Sequence, residues 1–194
     1  MEILKHNINA PHGAPDGGAV GLSGVLEKDI NLDIVLKLKE VLENNGVKVI
    51  LTRNDDSGLH DGTGTIRSMK VTDMKKRLEI MTNSNADLFV TIHMNSFENK
   101  SANGLHIFYD KNHAEIKPLA EQIQSSVSLV TGAAVHDVKE ASSSLYLMKA
   151  SPLPAILVEC GFLSNPEEEK KLSDEEYRSK IAWAIGRSII EYYK

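Results

Sequence analysis

The 194-residue chain reads as a single α/β domain, spanning 1–194, with a mainly parallel, mixed sheet and helices on both faces. Three observations predict this. Short apolar runs alternate with segments of helical period along the whole length. Two of the runs, Asp87–His93 and Ala155–Glu159, stay almost wholly apolar until their last residue, as strands covered on both faces do. The length suits one sizeable core rather than two ordinary domains.

The elements follow in order. A first strand is expected over Glu2–Asn9. Asp29–Asn45 carries Ile30, Ile34, Val35, Leu38, Val41 and Leu42 as one helical stripe, and Asn44-Asn45-Gly46 supplies a left-handed stop. Val47–Leu51 is the next strand. Asn54–Val71, rich in Asp, Gly, Ser and Thr, reads as a surface loop bordering a site. Thr72–Asn83 is a second helix, through Met74, Leu78 and Met81. The buried strand Asp87–His93 and a further strand, Gly104–Tyr109, come next. His113–Thr131 is a helix that buries Ile116, Leu119, Ile123, Val127 and Val130. After the strand at Ala155–Glu159, Asn165-Pro166 provides the cap and first-turn proline of a short helix. Ser173 and Glu176 fit a capping box for the last helix, which ends near Tyr193.

Composition removes several function classes. A formal net charge of −5 argues against binding to nucleic acid or an anionic membrane surface. Cys160 is the single cysteine, which excludes an internal disulfide and every CxxC-type zinc or redox site. A metal site must therefore draw on His, Asp or Glu. No apolar run approaches the roughly 18 residues of a membrane span. Met1-Glu2-Ile3-Leu4-Lys5 lacks the apolar core of a secretory signal, so the chain reads as soluble, as would one trimmed of its targeting segment.

In open α/β sheets ligands sit outside the carboxyl ends of the strands. His93 and Glu159 end two buried strands, His12 follows the first strand in a glycine-rich turn, and Glu27 sits just before the first helix. Two imidazoles and two carboxylates can thus meet at one rim. His₂Glu is a known ligand set for hydrolytic zinc, and a further carboxylate can serve as general base. Taken singly, each has a plainer reading. His93 or His12 suits an ordinary turn, and Glu27 suits a helix N-terminus, where negative charge is stabilising. Glu159, between Ala-Ile-Leu-Val and Cys-Gly-Phe-Leu, is expected to be partly buried with a raised pKa, as suits a group that takes up and returns a proton. Cys160 should face away from it and act as a small buried thiol. His6, His60, His106, His113 and His136 have no place at the rim and read as structural or solvated. The glycine-rich turn after His12 lacks the ending of a P-loop and GxGxxG spacing.

These pieces match a family in order and spacing. Pro11-His12-Gly13, Asp16–Gly21, Glu27–Leu32, Leu51-Thr52-Arg53, Ala86–Asn95 and Val158–Glu167 together resemble the zinc-dependent N-acetylmuramoyl-L-alanine amidases of the amidase-3 type. The Gly62-Thr63 loop, Lys75-Lys76-Arg77 and Ser144–Leu147 are most similar to the sporulation-associated CwlD branch. The resemblance implies Zn²⁺ held by His12, Glu27 and His93, with Glu159 as the catalytic carboxylate. Asn95, two residues past His93, is placed to bind substrate or support the ligands. The implied substrate is the peptidoglycan amide between the lactyl group of muramic acid and L-alanine, and the implied setting is spore cortex modification (muramic lactam formation) or cell-wall remodelling. An activating lipoprotein partner is implied by the same branch, as is a site of action outside the cytoplasmic membrane. Where the family reads Asp-Pro-Gly-His-Gly-Gly, this chain has Asn9-Ala10-Pro11-His12-Gly13-Ala14. That change predicts weaker support of His12 and weaker zinc binding. It leaves open a non-catalytic or weakly active peptidoglycan-binding module on the same fold, and a metallopeptidase or deacetylase with similar ligands stands as a third option.

Overall fold

A computed structural model describes residues 3–194. It has six strands, β1 (Lys5–Asn9), β2 (Lys48–Leu51), β3 (Leu88–Asn95), β4 (His106–Tyr109), β5 (Lys139–Glu140) and β6 (Ala155–Phe162). The helices are α1 (Glu27–Glu43), α2 (Ile66–Asn83), α3 (Lys117–Thr131), α4 (Tyr146–Ala150), α5 (Pro166–Ser173) and α6 (Glu175–Tyr192). The sheet order is β2-β1-β3-β6-β4-β5. All neighbouring pairs are parallel except β4 against β6, so the sheet is mainly parallel and mixed, as expected.

Strand periodicity divides the core in two. Ile8, Val90, Ile92, Ile156 and Val158 face α1, α3 and α6 in the larger cluster. Phe89, Ala155 and Leu157 turn the other way and meet Met81 of α2 with Leu147 and Met148 of α4. Cys160 points into the larger core and Glu159 to the opposite face, as alternation requires.

Several boundaries move, each for a local reason. The predicted first strand begins at Glu2, which lies outside the described residues. Helix α1 starts at Glu27, two residues early, so Glu27 is its first helical residue. Helix α2 starts at Ile66, six residues early, because Thr65 caps it by accepting from the Ser68 amide; the Asn54–Val71 loop is shorter than expected. The His113–Thr131 helix is a 3-10 turn at Lys111–Ile116 followed by α3, because His113 has non-helical backbone angles. The last helix is capped by Asp174 rather than Ser173, the Asp174 carboxylate accepting from the amides of Glu176 and Tyr177. Gly46, with φ +83°, supplies the left-handed residue after α1.

Candidate active site

Parallel strands β1, β3 and β6 end at the same rim, and this brings the four distant residues together. His93 and Glu159 are register partners on adjacent strands and share the face turned to α2 and α4. His12 follows β1 in the left-handed conformation, φ +62°. Glu27, 4% exposed, enters from the start of α1. Its carboxylate stands between the two imidazoles, with Oε2 3.3 Å from His12 Nε2 and Oε1 3.0 Å from His93 Nδ1. The rings are perpendicular with centroids 5.8 Å apart. One ligand atom from each of His12, Glu27 and His93 lies within 4.8 Å of the others. Ligand atoms of a tetrahedral zinc site with bonds of ~2.0–2.1 Å stand ~3.3–3.4 Å apart, so this donor set fits a small divalent cation.

The surroundings hold that geometry. The amides of Ala19 and Met94 and the side chain of Asn31 donate to the Glu27 carboxylate at 2.8, 3.2 and 3.2 Å. Burial alone pushes Glu27 upward, but its two histidine partners outweigh this and hold it far below the usual carboxylate range. His12 Nδ1 lies 2.7 Å from Asp16 Oδ2, which fixes the ring so that Nε2 faces the site. Burial disfavours the His12 cation, yet Glu27 and Asp16 raise its pKa on balance. Lys70 of α2 pairs with the other Asp16 oxygen at 2.9 Å. Gly18 lies against the ligands, since a Cβ there would meet Glu27 Oε2 at 2.6 Å and His12 Cδ2 at 2.8 Å.

Other side chains brace the Asn9–Ala14 turn, where weaker support of His12 is expected. Asn9 sits below the site, accepting from Thr52 Oγ1 and Arg77 Nη1 at 2.8 Å each and donating to Thr91 Oγ1 at 2.8 Å. It does not reach the His12 ring, which Asp16 supports instead. Two arginines clamp the turn's carbonyls. Arg77, wholly buried and paired with Asp73, donates to Ala10 O and His12 O at 2.6 Å each. Arg53 donates to Ala10 O at 2.9 Å and Pro11 O at 3.2 Å. These donors hold the three successive carbonyls of Ala10, Pro11 and His12. Sequence reading passed over Arg77 as part of a basic run and gave Asp16, Arg53 and Lys70 no role; Asp16 and Arg53 both lay in the matched motifs.

Glu159 differs from Glu27. Its Oε2 is buried and takes no hydrogen bond from the described residues. Burial raises its pKa and the Glu27 charge adds to this, opposed by His93 and His12. Asn95 lies beyond a register shift in β3, and its Oδ1 accepts from the Ser96 amide at 2.8 Å. It forms none of the hydrogen bonds that order the four rim residues. A cleft of about 220 Å³ opens beside His12 and His93, walled by Met74, Leu145, Leu147 and Leu157. His106 needs correction too. It is the register partner of Glu159 on β4 and therefore does stand at the rim.

A buried carboxylate between two imidazoles, with an acid on the next strand that has no hydrogen-bond partner among the described residues and an apolar cleft alongside, suits metal-assisted hydrolysis. The chain belongs to the amidase-3 family, N-acetylmuramoyl-L-alanine amidase, whose model matches residues 7–191. It is 34% identical over 187 residues to the germination-specific N-acetylmuramoyl-L-alanine amidase of Bacillus subtilis, covering 96% of this chain and 78% of that protein. It is equally identical over 189 residues to the N-acetylmuramoyl-L-alanine amidase LytC of that organism, with 96% of this chain covered but only 35% of LytC. The CwlD amidase of Clostridioides difficile, solved in complex with the GerS lipoprotein, superposes with a TM-score of 0.93 at 42% identity over 98% of both chains. The activity is thus that of an N-acetylmuramoyl-L-alanine amidase.

Proposed function

We propose that this amidase is zinc-dependent, that His12 Nε2, Glu27 and His93 Nδ1 hold the ion, and that Glu159 moves the proton. The observation that carries this is the Glu27 carboxylate between two imidazoles, with Glu159 on the neighbouring strand, its Oε2 without a partner among the described residues. Bound Zn²⁺ supplies a Lewis acid for the lactyl carbonyl and lowers the pKa of water. Asp16 keeps Nε2 of His12 turned inward. Glu159, raised by burial, accepts a proton from the attacking water and returns it to the departing alanine amine. Asn95 offers its amide nitrogen to the substrate. Residues 1–194 act as the catalytic unit on peptidoglycan, outside the cytoplasmic membrane. Among the described residues no helix is long and apolar enough to cross a membrane.

The likeness to germination-specific and CwlD amidases supports cortex modification, and the GerS complex of CwlD supports a lipoprotein partner. A non-catalytic wall-binding role drew its support from the altered turn; the bracing of that turn by Asp16, Arg53 and Arg77 supports the catalytic reading instead. Mass spectrometry of cortex and vegetative peptidoglycan, digested with and without added Zn²⁺, tests the reading. Release of peptides with a new N-terminal alanine, lost on chelation and restored by zinc, is the expected result; chelator-resistant release refutes the metal requirement.

A further inference from the structure

The rim does not end at Glu159. His93, Glu159 and His106 are register partners across β3, β6 and β4. Beyond them the Leu105–Val135 bridge, parallel, sets His136 beside His106. Four titratable side chains therefore form one row on one face. The outer two are built into a platform. The imidazoles of His106 and His136 stack at 4.1 Å and 25°, and Phe162 meets His106 edge-on at 5.5 Å. His136 Nε2 bonds Asn103 O at 2.9 Å. Gly104, at φ +95°, permits this approach, because a Cβ there would meet Ala134 O at 2.7 Å and His136 Nε2 at 3.0 Å. The Glu168 carboxylate ties the two strands by accepting from the Gly104 amide at 2.7 Å and the Phe162 amide at 2.8 Å. His106, half-buried, makes no side-chain hydrogen bond among the described residues.

The row has a direction. If Glu159 protonates the leaving amine, that nitrogen lies next to Glu159 while the acyl carbon lies over the His12-Glu27-His93 group. The chain attached to the nitrogen then runs away from that group, over His106. We propose that His106, backed by His136, binds the peptide half of the substrate, donating a ring N–H to an amide carbonyl or carboxylate of the stem peptide. Lys139, beside the pair on β5, adds positive charge suited to a carboxylate. The proposal rests on the assignment of Glu159 above.

The zinc-loaded full chain is assayed on N-acetylmuramoyl-L-alanine and on the same compound extended by the rest of the stem peptide. His106→Ala raises KM for the longer substrate about tenfold, as loss of one hydrogen bond implies, and leaves kcat and the shorter substrate within about twofold. His106→Gln, which keeps a donor, restores most of the loss. Equal losses on both substrates, a loss that tracks glycan length instead, or no change overturns the proposal. Free stem peptide titrated into the protein gives a readout independent of turnover. Shifts of the His106 and His136 imidazole NMR signals support the site even if the Glu159 assignment fails, and unmoved signals refute it.

Discussion

Glu27 and Glu159 are two acids at one rim with opposite surroundings. Glu27 accepts from two amides and one asparagine and stands between two imidazoles; Glu159 Oε2 has no donor among the described residues. Both are desolvated, so burial alone would raise both. The partners decide: Glu27 is driven down and stays an anion, whereas Glu159 is left high. One fold thus gives the same side chain two opposite proton affinities, the separation that the proposed roles of ligand and proton carrier require.

The sharpest way to break this contrast is to remove either acid. Glu159→Gln should lower kcat by roughly 10²–10⁴-fold, the usual worth of a general acid–base group, with bound zinc unchanged by elemental analysis. Glu27→Gln should instead lose zinc, seen by calorimetric titration; a variant that keeps full affinity refutes Glu27 as a ligand. Asp16→Asn removes the orienting partner of His12 and should cost about 10–100-fold in metal affinity or activity. Gly18→Ala presses on both Glu27 and His12 and should weaken zinc binding through displacement of the ligands, visible in a crystal structure of the variant.

A smaller effect sets the site against a buried group outside it. His6 is fully buried, and burial lowers its pKa from 6.5 to about 4 against the opposing pull of Asp87 and the Lys5 backbone. Above pH 6.5 it is neutral in both folded and unfolded chains. As pH falls from 6.5 towards 4 only the unfolded chain takes up the proton, so up to about 3 kcal/mol of stability is lost over that window. Urea denaturation at stepped pH measures this, and His6→Phe should flatten the contribution.

Much of the fold was legible because periodicity reports burial directly. The apolar runs at Leu88–Ile92 and Ala155–Val158 and the stripe in α1 needed no partner to be recognised. Elements carried by weak or local signals were not: α4 and β5 are five and two residues long, and the start of α2 depends on the Thr65 cap in a polar stretch. The rim residues were legible because His93 and Glu159 each follow an apolar run, although β3 and β6 continue past them to Asn95 and Phe162, while His12 lies in the turn after β1 and Glu27 begins α1. Arg77 was not, since three adjacent basic residues do not say which one is buried.

By itself the sequence determined the alternation of elements, the face each strand residue takes, and the candidacy of His12, Glu27, His93 and Glu159, since these depend on neighbours two to four positions away. Only the tertiary structure decided that Glu27 sits between His12 and His93, that Asp16 rather than residue 9 supports His12, and that His106 stands beside Glu159. Those outcomes depend on strand order and register, which join residues tens of positions apart through packing and hydrogen bonds that no local pattern encodes.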